Sequence, residues 1–160
     1  MLFDYILKEN IVVELESSEK DILFAEMTEN LVRTNPFLDR NEIIHNLEER
    51  EEKMNTCVMK CIAVPHADCK SVKEPLVCLG ISRSGIDYEV CSPGSEKYNE
   101  SMVHLVVMIL FGNGDANLHL KVLSDVARLL RIPGFYEAVM FSAKSPSDIL
   151  NIIREYETEY

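Results

Sequence analysis

The sequence predicts an α/β domain, a mixed β-sheet flanked by helices in a two-layer or three-layer sandwich. Three observations carry this. Helical apolar stripes occur both before and after the strand-like segments, which places helices on the sheet rather than in a separate block. Residues 103–111 are continuously apolar after His104, as expected of a strand covered on both faces. Gly112-Asn113-Gly114 then turns the chain directly into a long amphipathic helix pattern.

Taken in order, a short strand is expected over 11–15. Ser17 and Ser18 offer N-caps for a helix reaching about Arg33, striped with Leu23, Met27 and Leu31. Pro36 ends that region. Asp39 caps a second helix, with Ile43 and Leu47 on its apolar side and glutamates outside, running into Arg50. Strand-like pieces follow over 56–58, 61–64, 76–82 and 103–111. Pro65 has no amide hydrogen and a fixed φ, so it is expected to stop the strand before it and put His66 at the sheet's rim. Residues 92–100 read as a polar, turn-rich loop. Asp115 or Asn117 caps a helix through Leu130, with Leu118, Val122, Val126 and Leu129 on one stripe. Pro133-Gly134 breaks it. Two shorter helices are expected over 135–141 and 147–156, the second capped by Ser145 or Ser147.

No linker, repeat or low-complexity tract divides the 160 residues, which are read as one domain, 1–160, long enough for a real core. With 27 acidic against 16 basic side chains the net charge is −11. Such a surface repels nucleic acid, and no basic cluster offsets it, so no nucleic-acid binding is expected; basic protein partners suit it better. Asp4, Lys8, Glu9 and Glu14 interrupt any signal-peptide core, and the longest apolar run, 105–111, is far short of a membrane span. A cytoplasmic chain without membrane insertion is expected. Five cysteines, an odd number, argue against a disulfide framework.

The four histidines differ in setting. His45 lies in the charged second helix and reads as a solvated surface residue. His104 opens an apolar strand and reads as a satisfied structural histidine. His66 follows a strand-ending proline, and His119 sits in the first turn of a long helix. Two such edges can face each other across a shallow cleft.

The run Arg50-Glu51, Thr56 and Ile62-Ala63-Val64-Pro65-His66, together with His119-Leu120-Lys121-Val122-Leu123, closely resembles the enzyme IIA domains of the bacterial sugar phosphotransferase system, fructose/mannitol class. Val72-Lys73-Glu74-Pro75 and Ala127-Arg128-Leu129-Leu130 extend the likeness over most of the chain. The resemblance implies that His66 carries a phosphoryl group, that His119 donates a ring N–H to it, and that Arg50 and Thr56 add guanidinium and hydroxyl donors. Imidazole suits this role: it is largely neutral near pH 7 and forms a labile N–P bond. Donors placed around the transferred group do most of the catalysis, so no metal, nucleotide or other cofactor is implied. Less specialised roles remain open for two of these residues. Arg50 can be a helix C-terminal cation stabilised by the dipole, and Thr56 a strand residue chosen for its β-propensity.

The implied partners are an HPr-type phosphocarrier upstream and an enzyme IIB domain or a regulated target downstream. The chain is expected to stand alone, with no transporter or IIB domain fused, which resembles the nitrogen-regulatory branch of the family. Where the family usually carries glycines between threonine and histidine, this chain has Cys57, Met59 and Cys61. That loop is therefore either differently conformed or more fully packed, and a non-phosphorylated regulatory binding module on the same fold is the alternative reading. A further one comes from Cys57, Cys61, His66 and Cys69, a series of zinc-ligand types. The apolar residues between them read as buried strand, which favours structural cysteines over a zinc-binding protein.

Overall fold

Two 3-10 turns, Leu2–Tyr5 and Lys8–Asn10, precede the first regular element. The structure, a computed structural model, describes residues 1–89 and 102–160. The polar loop expected over 92–100 lies outside the described residues. In chain order the elements are β1 (Ile11–Val12), α1 (Lys20–Thr34), α2 (Arg40–Lys53), β2 (Cys57–Met59), β3 (Ile62–Ala63), β4 (His66–Asp68), β5 (Leu76–Asp87), β6 (Met102–Phe111), α3 (Ala116–Arg131), α4 (Phe135–Ser142) and α5 (Pro146–Glu159).

The described strands form one mixed sheet in the order β1-β5-β6-β3-β2, with β4 also on β6. β5 and β6 are antiparallel, whereas β1 runs parallel to β5 and both β3 and β4 run parallel to β6. Strand alternation divides the core in two. Leu105, Val107 and Ile109 of β6 join Val122, Val126, Val139 and Ile153 of the C-terminal helices. Val106, Met108 and Leu110 join Leu23, Met27, Leu31, Ile43 and Leu47 of α1 and α2. The result is three layers, with the apolar run over 103–111 buried on both faces as its sequence predicts.

The helix starts follow side-chain chemistry. Asp39 accepts from the Glu42 amide at 3.1 Å, and Asp115 accepts from the Asn117 and Leu118 amides at 3.0 and 3.1 Å. Ser145 and Asp148 form a reciprocal capping box on α5. At α1 the expected serine cap is absent. The Ser17 hydroxyl donates instead to Glu26, whose carboxylate also takes the Glu16 and Ser17 amides, and the N-cap residue is Glu19, without a side-chain bond.

Strand pairing breaks at Val64-Pro65 and resumes at His66. Ile62 pairs with Leu105 and His66 with Ile109, so the register along β6 is unbroken across the proline. Val64 donates to Thr56 O on the β2 side, and the Pro65 carbonyl accepts from Ile109 on the β6 side. β5 also runs past its expected end, to Asp87, through an irregularity between Ile81 and Ile86 that Gly85 permits with φ +95°. His104 is satisfied there, its Nδ1 donating to Ser82 O at 2.8 Å, and His45 is a surface residue with 74% of its side chain exposed.

Cys61 closes the β2–β3 hairpin with φ +67°. This is the left-handed conformation that glycine adopts freely and that costs other residues about 1–2 kcal/mol. The loop has therefore kept a glycine-type backbone beneath a cysteine side chain. Cys61→Val, with a β-branched residue at positive φ, is expected to lower stability by about 1–2 kcal/mol in urea unfolding. Cys61→Gly is expected to match or exceed the parent.

Cys61, Cys69 and Cys78 are free thiols, but Cys57 lies in a disulfide. This corrects the expectation drawn from the odd cysteine count, because an odd number still leaves room for a bonded pair beside free thiols.

Candidate functional site

β4, α2, the end of β6 and the start of α3 enclose a cavity of about 490 Å³. One stripe of α2 forms a wall, since Asn46, Glu49, Arg50 and Lys53 follow the i, i+3, i+4, i+7 spacing of a helix face. His66 and Asp68, two apart on β4, point to the same side of the sheet, while Ala67 between them is buried against the α1/α2 layer. Phe111 and His119 complete the opposite side. The turn after β6 sits tight against the 69–75 connection: a Cβ on Gly112 would lie 2.3 Å from Val72 O.

His66 is half-buried, and its Nδ1 lies 2.9 Å from Val64 O. A carbonyl only accepts, so Nδ1 carries the proton in this bond and Nε2 keeps its lone pair. The backbone thus selects the tautomer whose outer nitrogen is nucleophilic.

The His119 ring stacks on Phe111 with centroids 4.3 Å apart and planes 25° off parallel. Its Nδ1 lies 3.6 Å from Asp68 Oδ1, too long for a hydrogen bond but within ion-pair range when His119 is protonated. Asn46 Nδ2 donates to Asp68 O at 2.8 Å and so ties the end of β4 to α2. Arg50 Nη1 donates to Met54 O at 2.9 Å, which leaves the other guanidinium N–H groups for the cavity.

A second, more apolar groove of about 240 Å³ shares His66 with the first, lined by Val58, Met59 and Val64 on one side and Leu123, Val126 and Leu130 on the other. His66 therefore stands between a polar cavity and an apolar one.

The sequence profile described as "Phosphoenolpyruvate-dependent sugar phosphotransferase system, EIIA 2" matches residues 4–156. The chain belongs to this family. It is 30% identical over 154 residues to the PTS system fructose-specific EIIABC component of Bacillus subtilis, covering 96% of the chain but 23% of that protein's length. It is 29% identical over 117 residues to the PTS system fructose-specific EIIA component of Haloferax volcanii, covering 73% of the chain and 71% of the relative. Among solved structures, nitrogen regulatory protein IIA-Ntr from Neisseria meningitidis superposes with a TM-score of 0.81 at 22% identity, covering 95% of this chain and 98% of that one. The mannitol IIA of Escherichia coli, solved in a complex with phosphorylated enzyme IIB of the mannitol system, gives 0.72 at 19% identity, covering 92% and 95%. The EIIA fold, a mixed sheet with flanking helices, is thus shared with both solved structures.

Of the four residues expected to act in an EIIA site, the cavity gathers His66, His119 and Arg50. Thr56 lies outside its lining. It is 2% exposed, its amide donates to Glu51 Oε1 at 2.9 Å and its hydroxyl donates to Glu51 Oε2 at 2.6 Å. The hydroxyl expected to reach a phosphoryl group is spent on a carboxylate. Thr56 instead reaches the site through the backbone: its carbonyl accepts from Val64 N–H, and the Val64 carbonyl holds His66.

Glu51 anchors this chain of bonds from the end of α2, with Lys20 Nζ at 3.5 Å as its counter-charge. Glu51→Ala leaves two buried donors of Thr56 unpaired and is expected to cost about 2–4 kcal/mol, read as a fall in the urea midpoint.

Asp68, Asn46, Lys53 and Phe111 line or brace the cavity and were not singled out by sequence reasoning. Helical spacing from Arg50 would have found Asn46 and Lys53. Period-2 spacing from His66 would have found Asp68, had Pro65 not been read as a strand end. The zinc series does not converge, because Cys57 is bonded in a disulfide and no three His, Cys, Asp or Glu side chains among the described residues come together to hold a metal ion. Burial first, then nearby carboxylates led by Glu42, push the Cys69 thiol up to about 11, so it stays protonated near neutrality.

Proposed function

We propose that this chain is a histidine phosphocarrier that accepts a phosphoryl group on His66 Nε2 from an HPr-type protein. It then passes the group to an enzyme IIB domain or holds it as a regulatory signal. The observation that carries this reading is the Nδ1–H bond from His66 to Val64 O, which in the neutral ring leaves the lone pair on Nε2, at a cavity shared with Arg50 and His119. In the transfer, the Nε2 lone pair forms the new N–P bond as the donor's P–N bond breaks. The bonding pair leaves with the donor ring nitrogen, and a donor imidazole protonated at its other nitrogen departs neutral. The His66 proton stays on Nδ1, where Val64 O accepts from it and shares the positive charge that develops on the ring.

Arg50 and His119 meet the phosphoryl oxygens from opposite walls. Arg50 supplies planar, permanently charged donors, and His119, held flat on Phe111 beside Asp68, supplies a ring N–H. The apolar groove on the other side of His66 gives a protein partner surface to cover, and that would exclude water from the labile bond. The reaction places the chain in the cytoplasm, with its carrier. Among the described residues no helix is long and apolar enough to cross a membrane.

The test is intact mass after incubation with phosphoenolpyruvate, enzyme I and an HPr-type carrier. One acid-labile phosphoryl increment is expected. No increment, with the carrier itself phosphorylated, would leave the non-phosphorylated binding module in its place. Discharge of the increment on adding an enzyme IIB domain separates transfer from a held signal.

A further inference from the structure

Beyond the residues that resemblance to the family points to, we infer that Lys53 is a second cation for the phosphoryl group, acting with Arg50 from the same wall of the cavity. The inference rests on the phosphocarrier reading of this site and names a binding residue within it.

Lys53 lies one turn beyond Glu49 and three residues beyond Arg50, on the stripe of α2 that faces His66 and His119. What sets it apart is its place: Arg50 and Lys53 are the arginine and lysine side chains that line this cavity. Lys20, Arg40, Lys121 and Arg128 each pair with a carboxylate. Among the described residues Lys53 and Arg50 make no such pair, in a chain whose net charge is −11. Two cations without acidic partners, side by side on one cavity wall in so acidic a protein, form a local well for an anion.

Arg50 alone answers this need in part only. One arm of its guanidinium donates to Met54 O, and Thr56 has given its hydroxyl to Glu51. The same wall also carries Glu49, whose carboxylate repels an incoming dianion and lies 3.4 Å from the His45 Nε2. Lys53, an exposed side chain on a flexible stem, can swing its ammonium onto a phosphoryl oxygen and offset that repulsion. A purely structural role at the C-terminal end of α2, favoured by the helix dipole, would be met without any ligand.

The experiment uses the full chain and inorganic phosphate as the probe, following the His66 ring signals by NMR during titration. Lys53→Met keeps much of the length of the side chain and removes its charge. It is expected to weaken phosphate binding about five- to tenfold, and Lys53→Arg to stay within about twofold of the parent. A purely structural lysine would move the melting temperature and leave phosphate affinity alone. Equal affinity in parent and Lys53→Met, or no binding in either, overturns the inference. The mass measurement on the parent decides the phosphocarrier reading separately. A parent that gains the phosphoryl group beside an unchanged Lys53→Met titration removes Lys53 alone. A parent that gains none beside a weakened titration keeps Lys53 as an anion ligand and removes the phosphocarrier.

Discussion

His66→Ala is expected to lose phosphoryl uptake completely while unfolding within a few degrees of the parent. The two halves of this result have separate causes. Uptake is lost because the bond-forming lone pair belongs to Nε2, and no neighbouring group replaces it. His119 is the other imidazole on the cavity, but it is stacked on Phe111 with its Nδ1 turned toward Asp68. The fold survives because His66 is half-buried at a cavity, outside the apolar core, and makes a single protein hydrogen bond, to the Val64 carbonyl. Losing such a bond costs about 0.5–1.5 kcal/mol. Mass spectrometry for uptake and a thermal melt for folding read the two halves independently. A variant that unfolds would make His66 a packing residue, and a folded variant that still gains the increment would move the nucleophile elsewhere.

The second large effect is expected at His119. His119→Ala should slow phosphoryl uptake about a hundredfold, the size seen when one preorganised donor to a transition-state oxygen is removed. It should also uncover the face of Phe111, which is now only 2% exposed. To separate the two, His119→Gln keeps a side-chain donor and a comparable bulk, so recovery of part of the rate with Gln and not with Ala assigns the loss to donation. Equal rates in the parent and His119→Ala, in rapid-quench measurements at saturating carrier, would leave His119 as packing against Phe111.

Much of this architecture was legible from local patterns. The α2 and α3 caps, the two-sided burial of β6 and the stripe Leu23, Met27, Leu31 each depend on residues close together in sequence, and each is found as read. Where the reading failed, a partner outside the segment being read decided the outcome. Ser17 looked like a cap, but Glu26 in the following helix takes its hydroxyl. Pro65 looked like a stop, but β6 pairs in one register with β3 before it and β4 after it. Thr56 looked like a free donor, but Glu51, five residues back in the last turns of α2, takes its hydroxyl. His66, His119 and Arg50 were singled out by the motifs that resemble the family's, and the fold brings the three to one cavity. Asp68 and Lys53 carry no such local mark, and they reach the cavity through the pitch of a strand and of a helix.

The short outer strands of the described sheet carry one more consequence. β1 has two residues, and β2 has three with its register broken between Cys57 and Met59. Beyond β1 the chain places Glu14 and Glu16. Neither margin offers the long, flat row of open amides and carbonyls on which a second molecule can lay a strand. The native protein thus gives fibril growth little to seed on. Aggregation would have to begin from opened chains, in which the apolar run of β6 is exposed to solvent.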